Sequence, residues 1–416
     1  MHYYCASRIA SLLSGAALAL CAAASQADEA AGDAPTGSTL RMEHDATVQM
    51  IGERDYLSAP LGGNVAKYNA AELRLNLQLH CDGGLCDGSR AVLKPRIWLD
   101  DESKPDALPS RQPQSLMEGY AIVPLGEGEV GAGKRLLGWG PSMLYSPTNR
   151  LFPDNGAVTP RREIAGKPMA FASLPFSTRG RFSLLLADPN LDPVPGIRTG
   201  GAFALARSEW SWVSEQSATL GVVLGGGGGL QPYAGSYAQY GLGDAWTLSG
   251  EFAASRGFAR RGAAGPLLAQ DQDRWRWDGT LGLRYGLASS AEIGLELIYN
   301  GYALTPAELA NPLIAGAPSS GSSPSHNRPL HPFVQSRYAL LQTTWPKLFG
   351  DRRWGLTTRW LQGLDQSSSD IFCELSYSPS DASTIYFGVS HSRVPSDLEP
   401  SRPVPRNVYL ALEFHF

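Results

Sequence analysis

The chain has 416 residues, a formal net charge of −4 and 43% hydrophobic residues. So mild a charge excludes a general nucleic-acid binder, and after Ala27 no uninterrupted apolar run of about 20 residues exists to make a membrane-spanning helix. A slightly polar mean hydropathy of −0.18, with Gly 46 and Pro 30, suits a turn-rich all-β chain in which every second residue faces water.

Met1–Ala27 reads as a secretory signal peptide. Arg8 supplies the positive charge, Ile9–Ala24 the small-residue apolar core, and Ser25-Gln26-Ala27 the cleavage site before Asp28. A membrane anchor is the alternative, but the run is short and rich in Ala and Ser. Leu18-Ala19-Leu20-Cys21 superficially resembles a lipoprotein site, with Leu20 a poor fit just before the cysteine. Residues 28–38 then form a short periplasmic segment, and 39–416 the folded domain.

Period-2 patterning begins near Leu40 and persists to the end. Ala71–His80 alternates without a break, with leucines on one face and Glu72, Arg74, Asn76 and Gln78 on the other. Arg274–Tyr285 places Trp275, Trp277, Leu281, Leu283 and Tyr285 on one face, and Arg274, Arg276, Asp278 and Arg284 on the other. Aromatic ends predict two interfacial girdles, and the charged face predicts a wet lumen. In Ala291–Tyr302, Ile293, Leu295, Leu297 and Tyr299 oppose Glu292, Glu296 and Asn300. A large soluble β-sandwich is the competing fold.

These segments predict a transmembrane antiparallel β-barrel of about 18 strands, with 16 open because Gly225–Gly229 blurs the phase. Strands are expected to begin near Leu40, Ala71, Ala91, Leu116, Val130, Lys167, Arg181, Gly201, Ala218, Pro232, Ala245, Arg274, Ala291, Val334, Trp354, Ser369, Thr384 and Asn407. Short links (Gly241–Asp244, Ala288–Ser290, Ser378–Asp381) alternate with long ones (Gly52–Ala66, Trp139–Lys167, Gly257–Gln272, Ala303–Pro332). That is the pattern of periplasmic turns and extracellular loops, and counting back from the last strand places Trp139–Lys167 outside.

Cys81 and Cys86 bracket a turn and predict a local disulfide in an oxidising periplasm, or alternatively a metal pair, though no second CxxC or His cluster accompanies them. Cys373 lies mid-strand as a small apolar residue. Enzyme signals are weak. His391 and Ser392 are adjacent on a strand and point to opposite faces. Asp370, Glu374, Glu292 and Glu296 read as lumen lining, and Gly225–Gly229 lacks the Lys-Ser/Thr of a phosphate loop. No cofactor is expected.

The chemistry candidate is the proline-stiffened loop after Lys134-Arg135. Pro141, Pro147, Pro153 and Pro160 exclude regular structure there. It either folds inward to narrow the lumen or caps the barrel, its arginines then binding lipopolysaccharide phosphates or neighbouring acids. It carries Arg150, Arg161 and Arg162, with Arg179 and Arg181 expected at strand ends nearby. Guanidinium forks match carboxylates and phosphates. Trp139 and Tyr145 are placed to stack on sugar rings, so an acidic saccharide is the sharper ligand expectation. Arg74, Arg274, Arg276, Arg284 and Arg359, against Glu292 and Glu296, would set opposed fields across the lumen.

Two resemblances follow. The terminal strand Asn407–Phe416, alternating and closing on Phe416, resembles the C-terminal signal of bacterial outer-membrane β-barrels. It implies recognition by the barrel-assembly machinery, with Phe414 and Phe416 toward lipid and Glu413 and His415 toward the lumen. Gly138-Trp139-Gly140-Pro141 and Leu144–Pro153 resemble the WGP region of capsule-assembly outer-membrane lectins, and loops of alginate-export and related porin-like barrels. That likeness implies dealings with surface polysaccharide. A channel for polar or anionic solutes, with polysaccharide export as a variant, is the expected function. A lectin-like surface protein comes second and a barrel hydrolase third.

Overall fold

A chain whose strands have one oily and one wet face can satisfy both, and every backbone group, by closing a sheet on itself within a bilayer. The computed structural model describes residues 39–58, 65–100, 114–152, 164–187, 202–212, 217–227, 230–256, 275–303, 333, 335–393 and 404–416. The expected signal peptide, the 28–38 segment, Arg161, Arg162 and Arg274 lie outside these residues. Among the described residues there are eighteen strands: β1 (Thr39–Ser58), β2 (Val65–Asp82), β3 (Ser89–Asp100), β4 (Gln114–Leu125), β5 (Gly128–Arg135), β6 (Lys167–Ser177), β7 (Gly180–Ala187), β8 (Phe203–Trp212), β9 (Ala218–Gly227), β10 (Leu230–Leu242), β11 (Trp246–Arg256), β12 (Trp275–Gly286), β13 (Glu292–Asn300), β14 (Arg337–Trp345), β15 (Trp354–Gly363), β16 (Ser369–Ser380), β17 (Ser383–Arg393) and β18 (Val404–His415). Each pairs antiparallel with its chain neighbours, and β1 also pairs with β18 from Thr47↔His415 to Ser58↔Val404. The sheet is a closed barrel, not a sandwich, and the strand number is 18.

The strands begin within three residues of their expected positions except β2, which starts at Val65 instead of Ala71. Gly52–Ala66, expected as a long loop, is largely ladder: Gly52 pairs with Asn69 and Tyr56 with Val65. These strands continue past the stretch where one face must be apolar, so pairing persists where alternation does not.

The exterior is apolar. Leu281, Leu295, Leu297, Leu224, Leu186 and Leu410 are each about half exposed, as a lipid-facing surface requires. Outward aromatic pairs form two belts. Trp246–Tyr285 (4.4 Å between ring centroids), Trp354–Tyr377 (4.5 Å) and Phe176–Trp210 (5.6 Å) sit at the short-turn end. Phe252–Trp277 (5.7 Å) and Trp277–Tyr299 (3.9 Å) sit at the long-loop end. On β18, Phe416 is 77% exposed while Glu413 turns inward to Gln49 (3.3 Å) and Tyr386 (3.2 Å). Cys81 and Cys86 are joined by a disulfide across the β2–β3 turn.

Candidate functional site

The inner wall changes character around the barrel. From β6 to β10 it carries a buried apolar patch that includes Met169, Phe171, Leu185, Phe203, Leu205 and Val223. From β11 to β13 it presents three buried carboxylates, Glu251, Asp278 and Glu296. Uncovered, the first would expose oil to water, and unpartnered, the second would be costly buried charges. Residues 136–152, between β5 and β6, meet both needs by folding into the barrel. This segment has no acidic side chain of its own. It brings donors to the carboxylates and apolar side chains to the patch.

Glu251 accepts from Ser142 N (2.9 Å), Ser146 Oγ (2.7 Å), Thr148 Oγ1 (2.8 Å) and Thr148 N (3.4 Å). Asp278 accepts from the Tyr145 hydroxyl and from Arg150 Nη2 (2.9 Å), so Arg150 and Asp278 form a buried ion pair. Glu296 Oε2 accepts from Met143 N (2.7 Å). In return Arg284 Nη2 donates to Pro141 O (2.8 Å). Arg150 also donates to the Tyr302 hydroxyl (3.1 Å) and lies over the Tyr302 and Tyr233 rings, 5.1 and 5.6 Å from their centroids. Trp139, Leu151 and Phe152 join the β6–β10 patch, while Leu144 and Tyr145 pack with Ile298, Phe333, Tyr338 and Leu340. Asn149 staples the segment to itself, donating to Leu137 O (2.9 Å) and accepting from Phe152 N (3.0 Å).

Gly140 is the sharpest bend. Its φ is +86°, and a Cβ there would run into the Glu251 carboxylate. Glycine alone lets the backbone lie against that acid in this conformation. Burial pushes the Tyr145 hydroxyl well above its usual pKa, and the neighbouring Asp278 charge adds to this against the opposing Arg150. Burial works against a charged Arg150, but Asp278, Tyr145, Tyr302 and Tyr233 outweigh it and hold the guanidinium protonated.

The facing wall, from β15 through β1 to β4, is polar and alternates in charge. Arg74 donates to Glu72 (3.0 and 3.1 Å) and Gln49 (2.8 Å). Arg96 lies 3.6 Å from the same Glu72, and Lys94 pairs with Glu118 (2.6 Å). Glu374 accepts from Tyr409. Arg359 is buried over the Phe372 ring at 5.2 Å. Cavities among the described residues open on the lumen side. One of about 360 Å³ lies beneath the inward loop, between Gly138–Met143 and Arg284, Glu292 and Gln342. Another, about 140 Å³, is lined by Asp45, Thr47, Arg74, Asn76, Lys94 and Met117.

Several sequence expectations are therefore corrected. Trp139–Lys167 does not lie wholly outside, because its first half, 139–152, is pinned inside the barrel. Trp139 is 7% and Tyr145 1% exposed, and the Tyr145 hydroxyl is committed to Asp278, so neither ring is presented as a platform for sugars. Arg150 is largely buried and paired with Asp278 instead of standing free in the lumen. Arg179 and Arg181 sit at the β6–β7 turn, the opposite end of the barrel from the loop, with Arg181 3.8 Å from Glu129. Arg276 donates to Gly301 O (3.2 Å). Glu296 is buried under the loop, whereas Glu292 remains exposed at the cavity. His391 points outward while Ser392 turns in to Asp370 (2.6 Å), so the two form no catalytic couple. Sequence reasoning missed Glu251 and left Asp278 unassigned. Each is an acid on the inward phase of a strand, next to strands that carry further inward acids.

No family model and no curated protein matches this sequence. Solved structures share its fold. A BenF-like porin from Pseudomonas fluorescens Pf-5 matches with a TM-score of 0.54 and 13% identity, covering 90% of this chain and 98% of that one. Pseudomonas aeruginosa OccK9 (OpdG) matches with a TM-score of 0.57 and 10% identity, covering 90% and 98%. Pseudomonas aeruginosa OpdK with vanillate matches with a TM-score of 0.54 and 12% identity, again over 90% and 98%. None of these is a capsule-assembly or alginate-export barrel, and the WGP motif serves here to seat the loop on Glu251.

Proposed function

We propose that the chain is a passive, solute-selective channel of the Gram-negative outer membrane, for small polar or anionic molecules. The observation that carries this reading is the inward loop 136–152, which thickens one wall of the barrel and leaves a polar wall of paired arginines, lysines and acids opposite. A structural plug needs no such wall. A pore does, because paired charges focus a field on a passing solute without trapping it. The porin-like fold of the neighbours supports the reading, as does the vanillate held by OpdK, itself a carboxylate. Polysaccharide export is not part of it, since the rings expected to bind sugar are packed away.

On this reading the short-turn end faces the periplasm, the apolar band meets lipid and lipopolysaccharide, and the signal peptide delivers the chain to export. The barrel-assembly machinery would read the strand ending at Phe416. The test is reconstitution in planar bilayers. The expected result is stepwise conductance with a preference for anions, moved toward cations by Arg74→Glu with Arg96→Glu. Absence of any conductance from correctly folded barrels removes the proposal.

A further inference from the structure

The larger cavity has a feature that the loop's own anchoring does not explain. Arg284 and Glu292 both line it. In the β12–β13 ladder Arg284 faces Gly294 and Gly286 faces Glu292, which makes the two residues diagonal neighbours on one wall, with Cα atoms about 7–8 Å apart. They do not pair. Arg284 reaches instead to Pro141 O (2.8 Å), and Glu292 has no hydrogen-bond or ion-pair partner among the described residues. Trp139 closes one side of the cavity with a ring that is only 7% exposed. Gln342 adds an amide to the lining.

A lone anion drawn to Arg284 would meet Glu292, and a lone cation drawn to Glu292 would meet Arg284. Two opposite charges on neighbouring positions of one wall are complemented by a molecule that carries both. The 360 Å³ volume has room for such a molecule with a small side chain. We propose that this cavity is a subsite for small zwitterions of the α-amino-acid class, the carboxylate on Arg284 and the ammonium on Glu292. The Gln342 amide is a further donor for the carboxylate. Met143, also in the lining, offers an apolar contact to the side chain. The inference rests on the channel reading for its route of access, but binding itself does not require conduction.

The test uses the full detergent-solubilised barrel and labelled L-serine in equilibrium dialysis, alongside swelling of proteoliposomes. Saturable L-serine binding is expected, displaced by glycine and not by propionate or ethylamine, each of which carries one of the two charges. Arg284→Gln and Glu292→Gln should each weaken binding by roughly tenfold or more, the loss of one charge-assisted contact. Swelling should be faster with L-serine than with erythritol in the wild type, and equal in either variant. Equal displacement by propionate and glycine overturns the proposal without recourse to any variant. So does unchanged binding in both variants. Binding without swelling by any solute would refute the channel and leave the subsite standing; swelling without binding would do the reverse.

Discussion

Asp278→Ala is the most direct test of how the loop is held. Asp278 is fully buried and its removal leaves Arg150, at 2.9 Å in the native structure, as an uncompensated buried cation. Breaking such a pair costs about 3–5 kcal/mol. Arg150 keeps the Tyr302 hydroxyl and two ring faces, which offset part of this, so the lower end, ~3 kcal/mol, applies. At about 1.4 kcal/mol per tenfold, loop release should become roughly 150-fold more frequent. The barrel itself should not unfold, because Asp278 holds its strand through backbone pairing with Ala253 and Asn300. The assay is hydrogen exchange at the amides of Ser142, Met143 and Thr148, each bonded to a wall carboxylate. Removing both partners in Arg150→Met with Asp278→Leu should recover most of the protection. Exchange in Asp278→Ala within about threefold of wild type would refute the reasoning, and so would a double variant as loose as the single one.

Four further outcomes follow from the same geometry. Gly140→Ala forces a side chain into left-handed backbone and against Glu251; a cost of about 1–3 kcal/mol should appear as protease sensitivity of the loop and raised conductance. Tyr145 has a pKa raised above the usual 10.0 in the folded state. Its contribution is therefore whole below pH 10 and lost as pH rises toward the folded value. Corrected for intrinsic exchange, the loop amides should lose protection in alkali in the wild type, and Tyr145→Phe should reduce that loss. Cys81→Ser with Cys86→Ser removes a bridge spanning five residues at the short-turn end; a loss of about 2 kcal/mol at most is expected, in heat-induced unfolding on gels, with conductance unchanged. Deleting Phe416 removes its ladder bonds to Ala46 (2.9 and 3.1 Å) and the terminal aromatic, so the yield of folded barrel in outer-membrane fractions should fall severalfold.

The strands were legible because bilayer and lumen impose opposite demands on successive residues. Trp275, Trp277 and Leu281 against Asp278 and Thr280 show both phases within one strand. Legibility failed where those demands stop. Val65–Ala70 continues β2 with no oily face to declare it, so the backbone ladder to β1 left no trace in residue pattern. The direction of the 136–152 loop was invisible for a different reason. Its anchors Glu251, Asp278 and Glu296 lie between 103 and 153 residues further along the chain. A periodic reading handles neighbours, whereas this contact couples three distant acids to donors that look like ordinary loop residues. A retrospective signal exists: a segment with Ser, Thr, Tyr and Arg and no acid, in a chain with adjacent strands carrying inward acids.

The seam between β1 and β18 has a temporal meaning. Thr47 and His415 meet across it although 368 residues separate them. The first strand therefore waits, with one row of backbone donors and acceptors unclaimed, until the last residue arrives. Ser142, Met143 and Arg150 likewise wait for β11, β12 and β13, which follow them out of the ribosome. The interior must be furnished before the door is shut: a loop that missed its place would have to be threaded into a finished ring. Assembly is thus a problem of order as much as of affinity: 136–152 has to be seated before β1 and β18 meet.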